Sequence, residues 1–460
     1  MSKITAVILA AGAGTRMKSK MPKVLHKVCG KPMVQHVIDI AKGIKTEKTI
    51  LVVGHGAEQV QTVLEKEDVS FVLQKEQLGT GHAVMQAEAQ LDEEGYVLLL
   101  YGDTPLIRES TIQKMIEFHG AGGYQATVLT SIFHDPTAYG RIIKNASGEV
   151  IRIVEEKDAT MEEKKIQEIN SGIYLYDAKL LKASLKKLTN QNAQKEYYIT
   201  DVVQILNEEG HRVGAFVTED PTEIMGVNSR IQLAEAEKEM RRIINAQLME
   251  SGVTIIDPDS VYIEKGVSIG RDTVVYPGVI LTAGTEIGED CIIGHNTRIE
   301  NSMIKDRVEI QHSTIIDSFV DEDTHVGPYA YLRPKSTLGK HVKVGDFVEV
   351  KNAVLGDYSK ASHLAYIGDA EVGKHVNIGC GVVFVNYDGK NKHKTVVEDN
   401  AFVGSNVNLV APVTVKKYGY IATGSTITKE VPEGALSVAR AKQANIDGWV
   451  ERKGLIKKEK

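Results

Sequence analysis

Residues 263–299 read IEKGVS IGRDTV VYPGVI LTAGTE IGEDCI IGHNTR I, and an aliphatic residue opens every group of six. This register consists of Ile263, Ile269, Val275, Leu281, Ile287, Ile293 and Ile299. An α-helix repeats every 3.6 residues and a strand every two, so neither gives a strict period of six. A parallel β-helix does, because each hexapeptide contributes one inward aliphatic side chain and one turn. The segment therefore predicts a parallel β-helix.

The same period continues, with slips, as far as residue 427. After the first slip it predicts inward positions at Ile304, Ile310 and Ile316, then from Val320 to Val350, and finally from Val397 to Ile427. Residues 386–395, rich in Lys, Asn and Gly, interrupt the hexads. We expect them to form a loop outside the β-helix, and such loops often carry function.

The amino-terminal half has a different organisation. Short apolar runs alternate with amphipathic stretches, which predicts an α/β domain of the Rossmann-like type, with a parallel sheet covered on both faces. Its ligand site is expected at the carboxyl ends of the strands. The predicted strands are Thr5–Leu9, Thr49–Val53, Tyr96–Tyr101, Tyr124–Ile132 and Val213–Val217, and the predicted helices include Val34–Ala41 and Asp201–Glu208.

A third pattern separates the two halves. Residues 229–251 contain no proline or glycine and carry apolar residues at helical spacing among charged ones, which predicts one long connecting helix. The expected organisation is a domain at 1–228, a helical linker at 229–251 and a β-helix domain with a basic tail at 252–460.

Composition excludes several classes of protein. The 460 residues are 42% hydrophobic and 25% charged, as in ordinary globular chains, and the formal net charge of −6 argues against broad nucleic-acid binding. Three distant cysteines, Cys29, Cys291 and Cys380, give no disulfide framework or zinc spacing. With neither a signal peptide nor a membrane-spanning run in this reading, we expect a cytoplasmic protein without membrane insertion.

The first chemical motif is LAAGAGTRM at residues 9–17, directly after a buried strand. Glycines there allow backbone N–H groups to approach phosphate, and Arg16 can add bidentate contacts. The spacing fits neither a dinucleotide fingerprint nor a Walker A loop. Lys23 would add a second phosphate cation. A purely structural glycine turn and a solvated Lys23 remain the alternatives.

Two further segments belong with this loop. Asp103 leaves the apolar run Tyr96–Tyr101, where a carboxylate is well placed to hold a metal beside a nucleotide, although a turn-capping role is equally open. Gln74, Gly79 and Thr80 could read a base edge with side-chain amide and backbone groups.

Polar residues set against the hexapeptide repeat suggest a second site. Arg333 and Lys351 could hold a sugar phosphate, while Tyr366, Asn377 and Asn386 could fix its hydroxyls. His363 is the candidate base for acyl transfer from a thioester to an amine, and Glu349 is a candidate carboxylate to position the base or the amine. A scaffold role for the repeat, a structural His363 and a solvated Glu349 are the alternatives.

The amino-terminal motifs together resemble the sugar-phosphate nucleotidyltransferase family. The resemblance extends to Gly140, Glu155, Asn170 and Asn228. It implies that these residues contact the sugar and that Asp103 and Asn228 hold Mg²⁺. The implied nucleotide- and sugar-binding set is Leu9, Ala10, Ala11, Gly12, Arg16, Lys23, Gln74, Gly79, Thr80, Asp103, Gly140, Glu155, Asn170 and Asn228.

The whole chain resembles the bacterial bifunctional family of N-acetylglucosamine-1-phosphate uridylyltransferases and glucosamine-1-phosphate N-acetyltransferases. The resemblance implies a left-handed β-helix, a homotrimer, a role in peptidoglycan synthesis, and UTP and acetyl-CoA as co-substrates. It implies that His363 is the acetyl-transfer base and that Arg333, Lys351, Tyr366, Asn377 and Asn386 bind glucosamine-1-phosphate. The acetyl-CoA residues it implies are Cys380, Asn386, Tyr387, Ser405, Thr423 and Arg440, through backbone groups at Cys380 and Thr423.

Two other functions remain open on the sequence. One is a nucleotidyltransferase whose β-helix only regulates or oligomerises. The other is a trimeric scaffold with a degenerate ligand domain, which is hard to reconcile with the presence of Arg16, Lys23, Asp103 and Asn228 together.

Overall fold

The computed structural model describes residues 3–456, and the chain divides into two compact units, Met1–Ile243 and Ile244–Lys460. Residues 1–2, and with them the start of the expected first domain, lie outside the described range. So do residues 457–460 at the end of the expected basic tail. In the described part of the chain, no helix is long and apolar enough to cross a membrane.

The first unit is built on a nine-stranded sheet. Its central path runs in the order β11-β7-β10-β6-β1-β4-β5, while β8 and β9 form a hairpin attached to β10. The strands of the unit, including the small β2–β3 pair, are β1 Ile4–Ala10, β2 Lys27–Val28, β3 Lys31–Pro32, β4 Lys48–Val53, β5 Ser70–Leu73, β6 Tyr96–Tyr101, β7 Ala126–Ile132, β8 Arg141–Lys144, β9 Val150–Val154, β10 Glu168–Asp177 and β11 Val213–Val217.

Helices cover both faces of this sheet, as expected for a three-layer α/β domain. One buried cluster includes Val84, Leu181 and Val202, and the other includes Val37 and Ile112. The helices of the chain are α1 Met33–Gly43, α2 Ala57–Val63, α3 Thr80–Ala87, α4 Glu109–Gly122, α5 Ala178–Leu185, α6 Asp201–Glu208, α7 Arg230–Glu250 and α8 Trp449–Arg452, with 3₁₀ turns at Thr15–Met17, Lys23–Leu25, Glu88–Gln90, Glu163–Lys165 and Pro221–Ile224.

The sheet is mixed, which corrects the expectation of a parallel sheet. Strand β10 runs antiparallel to both β6 and β7, in the middle of the central path. This strand is hard to predict from its sequence, because a register shift between Asn170 and Tyr174 places polar residues inside the strand. Such a bulge breaks the apolar pattern and re-aims a side chain, a common device beside functional sites.

Helix α7 occupies the stretch for which a single connecting helix was expected. The division into two compact units falls inside this helix, between Ile243 and Ile244, so the helix contributes residues to both units. In the second unit, Asn245 is fully buried and its Nδ2 donates to the backbone oxygens of Pro258 (2.9 Å) and Val261 (3.3 Å).

Within the described residues, the second unit is a parallel β-helix of 26 strands, in which most short strands pair with the strand three positions further along the chain. Three strands therefore complete one coil, and β27 and β28 run without interruption through all three sides. The strands β12 to β37, in chain order, are Thr254–Ile255, Tyr262–Ile263, Ser268–Ile269, Val274–Val275, Ile280–Leu281, Glu286–Ile287, Ile292–Ile293, Arg298–Glu300, Met303–Ile304, Glu309–Ile310, Thr314–Ile316, Phe319–Val320, His325–Val326, Tyr331–Leu332, Thr337–Leu338, Lys343–Leu355, Lys360–Val372, Asn377–Ile378, Val383–Val385, Thr395–Val397, Phe402–Val403, Asn408–Val410, Val413–Val415, Tyr420–Ile421, Thr426–Ile427 and Leu436–Ser437.

The aliphatic repeat forms the interior of this β-helix, so the fold predicted from the hexads is confirmed. Leu281, Val350 and Ile421 are fully buried members of one continuous core. The prediction for Ile316 is wrong: Ile315 is fully buried and Ile316 only half-buried. The spacing between inward residues is five from Ile310 to Ile315 and five from Ile315 to Val320, so the register slips by one residue on each side of Ile315.

Two candidate active sites

The glycine loop follows the central strand β1 of the first unit. Leu9, Ala10 and Ala11 are buried at the strand end, whereas Gly12 and Arg16 are exposed. The loop is tied to its neighbours, because Gly102 N–H donates to Leu9 O (2.9 Å) and His55 N–H donates to Ala11 O (3.2 Å). The exposed part of the loop thus stands on a fixed base at the carboxyl end of the sheet.

Gly14 shows why this loop needs glycine. Its φ of 59° lies in the left-handed region, and a Cβ built there would come within 2.7 Å of Lys23 Cβ. The glycine therefore allows the loop to pack directly on the residue predicted to supply the second phosphate cation.

Lys23, Asp103 and Asn228 converge from three distant segments. The Lys23 ammonium is 2.5 Å from Asp103 Oδ2 and 2.9 Å from Asn228 Oδ1. Val227 N–H donates to Asp103 O (2.9 Å), which fixes the segment carrying Asn228 beside the end of β6. The two residues predicted to hold Mg²⁺ thus direct their oxygen atoms at the same point, and the Lys23 ammonium lies there.

Gln74, Gly79 and Thr80 form a second group at this edge. The side-chain amide of the buried Gln74 donates a hydrogen bond from Nε2 to Gly79 O (3.2 Å), and this bond stiffens the loop between the two residues. At Gly79, whose φ is 110°, a Cβ would lie 2.6 Å from Tyr197 O. Thr80 Oγ1 accepts a hydrogen bond from Ile199 N–H (3.1 Å). The backbone predicted to read a base is therefore held against residues 197–199.

Gly140, Glu155 and Asn170 form a third group. Asn170 N–H donates to Gly140 O (2.9 Å), and a Cβ at Gly140 would lie 3.5 Å from both Glu155 Oε2 and Asn170 Cβ. Burial raises the pKa of Glu155, and the acidic side chains of Asp158 and Asp201 raise it further. A protonated or hydrogen-bonded carboxyl suits a partner with hydroxyl groups.

Tyr101 links these groups, and sequence reasoning missed it. Its ring lies against Gly172, where a Cβ would come within 2.8 Å of Cε2. Burial raises the pKa of Tyr101, with further contributions from Glu155 and Asp103. The signal was present in the Tyr-Gly-Asp motif, in which only the aspartate was assigned chemistry.

In the second unit, one corner of the β-helix carries four of the predicted site residues in line. We call His363, Cys380, Ser405 and Thr423 the corner column. Backbone bonds set its register: Gly381 N–H donates to Leu364 O (2.7 Å), Asn406 N–H to Cys380 O (2.7 Å) and Gly424 N–H to Ser405 O (2.9 Å). Arg440 extends the column, since a Cβ at Gly424 would lie 3.9 Å from its Cδ.

The adjoining side of the β-helix carries most of the predicted sugar-phosphate residues. Arg333 Nη1 donates to Glu349 Oε1 (2.7 Å), and Lys351 Nζ is 3.4 Å from Asp369 Oδ2. Asn386 Nδ2 donates to Asp369 Oδ2 (2.5 Å) and lies 3.4 Å from the Tyr366 hydroxyl. Arg333, Lys351, Tyr366 and Asn386 therefore belong to one surface.

Asn377 lies elsewhere. It pairs with Lys360 on one side and Phe402 on the other, on the strand before the corner column, whereas Tyr366 lies on the strand after it. A single chain therefore does not bring Asn377 onto the surface that carries Arg333 and Lys351.

The loop that interrupts the hexads is ordered around Asp388. Hydrogen bonds from the Asn391 backbone, from the His393 side chain (2.7 Å from Asp388 Oδ2) and from the Lys390 backbone lower the pKa of this carboxyl. The loop exposes Tyr387 and brings the Lys392 ammonium against Lys351, a contact that lowers the pKa of Lys392. Lys392 is thus a further cation beside the predicted phosphate residues, and the sequence analysis missed it.

A carboxylate contacts the candidate base, and it is not the one expected. His363 Nδ1 is 3.0 Å from Asp346 Oδ1. Glu349 contacts Arg333 instead, so among the described residues Asp346 is the carboxylate that hydrogen-bonds the imidazole. Asp346 lies 17 residues earlier, at the same corner one coil away, which explains why inspection of neighbouring residues did not reveal it.

These two units define a transferase that joins a nucleoside-triphosphate transferase domain to a hexapeptide-repeat domain. Residues 6–167 match the family model of the MobA-like NTP transferase domain, and residues 266–301 match that of the bacterial transferase hexapeptide of six repeats. The chain belongs to the family of the bifunctional protein GlmU. It is 61% identical to that protein of Alkaliphilus metalliredigens and 63% identical to that of Alkaliphilus oremlandii, covering 99% of this chain and 100% of each relative. It is 58% identical to the Clostridioides difficile protein, over 97% of both chains.

Proposed function

We propose that the chain makes UDP-N-acetylglucosamine in two steps. The β-helix transfers the acetyl group of acetyl-CoA to glucosamine-1-phosphate. The first unit then transfers a uridylyl group from UTP to the product and releases pyrophosphate. The observation that carries the proposal is the occurrence of two separate polar clusters, one in each unit, in a chain that belongs to a bifunctional family over its full length.

Uridylyl transfer needs alignment and charge neutralisation more than it needs a base, because the sugar phosphate is already a nucleophile. In this proposal Arg16, Lys23 and the backbone N–H groups of residues 11–17 cradle the triphosphate. Gln74 and the fixed backbone at Gly79 and Thr80 contact the base, and Gly140, Glu155 and Asn170 contact the sugar. The buried Glu155 carboxyl can hold a hydroxyl without drawing in water.

The oxygen atoms of Asp103 and Asn228 fit Mg²⁺. Both are hard donors, and both already direct their charge or dipole at the Lys23 ammonium, which stands in for a cation. A site with only two protein ligands is typical of Mg²⁺ that is also held by substrate phosphates. When bound, the ion would neutralise the developing charge on the phosphates.

Acetyl transfer needs a neutral amine, and His363 would remove its proton. Arg333 and Lys351, with Lys392 beside them, would hold the sugar phosphate, while Tyr366, Asn377 and Asn386 would orient the sugar. The corner column and Tyr387 would hold acetyl-CoA, with backbone groups at Cys380 and Thr423, the side chain of Ser405 and the guanidinium of Arg440 as contacts. Glu349 would help to place Arg333 or the amine.

We further propose a cytoplasmic homotrimer in which the acetyl-transfer site is shared between copies. The position of Asn377 supports this, since within one chain it lies on a different side of the β-helix from Arg333 and Lys351. Hexapeptide repeats also favour trimers. The domain boundaries in this proposal are 1–228, 229–251 and 252–460, with the basic tail reaching a neighbouring copy.

The test is a product assay by mass spectrometry with glucosamine-1-phosphate, acetyl-CoA, UTP and Mg²⁺ supplied together. UDP-N-acetylglucosamine is expected. Asp103→Ala should abolish uridylyl transfer and leave acetylation intact, and His363→Ala should do the reverse. Loss of both activities in either folded variant would contradict the two-site proposal. Uridylylation seen only with pre-acetylated sugar would reduce the β-helix to a scaffold.

A further inference from the structure

The contact between Asp346 and His363 follows from the stacking of two coils. The two residues are direct partners in the register of β27 and β28. Gly345 allows this close approach, because a Cβ there would come within 2.0 Å of Ser362 O. The pair therefore lies at the head of the corner column, with the imidazole 3.0 Å from the carboxylate through Nδ1.

The geometry decides which nitrogen of His363 can act as a base. A carboxylate accepts hydrogen bonds only, so Nδ1 must carry the proton that it donates to Asp346 Oδ1. The lone pair then resides on Nε2. Because the His363 side chain is 63% exposed, Nε2 remains accessible on the solvent side of the corner.

We propose that Asp346 is the positioning residue of the acetyl-transfer base. This inference rests on the function proposed above. The Asp346 carboxylate holds the imidazole in the Nδ1–H form, with Nε2 aimed at the substrate amine. As the nitrogen attacks the thioester carbonyl, the amine proton passes to Nε2. The C–N bond forms, the C–S bond breaks, and the imidazolium returns the proton to the departing thiolate of CoA.

A structural role for Asp346 is the competing explanation. Its carboxylate also accepts a hydrogen bond from its own backbone N–H, and this contact together with His363 lowers the pKa of Asp346. Lys343 on the same strand also lowers the pKa of Asp346, and it pairs with Lys360 on the strand of His363. Cys380 lies on the next coil of the corner column.

Asp346→Asn separates the two explanations. Asparagine keeps the size of the side chain and the backbone contact, but it can present its NH₂ donor to Nδ1 in place of an acceptor. We expect kcat for acetyl transfer to fall by about 100-fold, the lower end of what a positioned general base contributes. KM for both substrates and the melting temperature should stay near wild type. Asp346→Glu, which retains the carboxylate, should recover part of the loss.

The decisive measurement is a double-mutant cycle with His363→Ala, followed at enzyme concentrations that reveal the residual rate. Asp346→Asn should have no further effect in that background, since a residue acting only through His363 cannot be lost twice. Asp357→Asn is the matched control, because Asp357 is another half-exposed aspartate on the β-helix, paired with Lys374 (2.7 Å) at a different corner.

Wild-type kcat in Asp346→Asn would overturn the inference, as would an equal loss of rate with and without His363. Either result would leave the proposed acetyl transfer standing, provided that His363→Ala is inactive. A chain that never acetylates glucosamine-1-phosphate would overturn the proposed function itself, and the inference with it.

Discussion

The lysine in the predicted metal site leads to a specific prediction about metal binding. The side chains of Lys23 and Asp103 are only 13% and 14% exposed, and their charged atoms are 2.5 Å apart. A divalent ion can reach Asp103 and Asn228 only after the Lys23 ammonium leaves. We therefore expect Lys23→Met to bind Mg²⁺ or Mn²⁺ more tightly than the wild-type protein when no nucleotide is present.

The magnitude follows from the contact that is lost. A hydrogen bond to a charged group contributes about 1.5–3 kcal/mol, and this pair is too buried for the low value of a surface ion pair. At about 1.4 kcal/mol for each factor of ten, removing the competitor should tighten ion binding about 10- to 100-fold. Affinity for UTP should fall in the same variant, because the lysine would no longer meet the triphosphate.

The assay is titration of the full chain with Mn²⁺, followed by electron paramagnetic resonance of the free ion in the absence of nucleotide. Lys18→Met is the matched control, since Lys18 is an exposed lysine of the same segment and should leave ion affinity unchanged. Unchanged or weaker ion binding in Lys23→Met would refute the reasoning that the ammonium and the metal ion compete for the same oxygen atoms.

Three other predictions test separate parts of the account. Burial and the neighbouring Asp158 raise the pKa of Asp201 to about 6, above its value in the unfolded chain. The ionised carboxyl therefore lowers the stability of the folded chain increasingly as pH rises from about 4 to 6. Calorimetry should show that Asp201→Asn raises the melting temperature by a few degrees at pH 7 but not at pH 4. An equal gain at both pH values would contradict the raised pKa of Asp201. Cys380→Ser should acetylate at nearly the wild-type rate in a thiol-release assay, because backbone groups are the proposed contacts, and a large loss would show that the thiol itself is required. Co-expression of inactive Lys351→Ala and Asn377→Ala chains should restore about a quarter of the acetyl transfer by random pairing in mixed trimers, whereas no recovery would mean that the site lies within one chain.

The sequence was most informative where one chemical property repeats. Leu281 and Ile421 are 140 residues apart, yet a period of six predicted both as interior residues of one β-helix, because each coil faces the same core. It failed where the backbone departs from the repeat. Ile316 was predicted to face inward by counting in sixes, but two successive spacings of five residues place Ile315 there instead.

The sites show the same contrast. Residues close together in the sequence, such as Gly14 and Lys23, were found because the chemistry of this loop is local. Asp346 and Lys392 were not, since the first reaches His363 across the gap between two coils and the second reaches Lys351 from an inserted loop. Strand β10 was missed for a related reason: the register shift between Asn170 and Tyr174 interrupts the apolar pattern that is typical of a strand.

The residues of the corner column are evenly spaced along the β-helix. Its members recur once per coil, and parallel strands stack about 4.8 Å apart, so His363, Cys380, Ser405 and Thr423 mark equal intervals along the molecule. An elongated ligand laid along this edge would be measured in whole coils. Inserting or deleting one coil before Tyr329 would leave those intervals unchanged. The same change between His363 and Thr423 would shift the contacts at one end of the ligand by the height of one coil. In the proposed function, therefore, the β-helix can change in length before Tyr329 but not between His363 and Thr423.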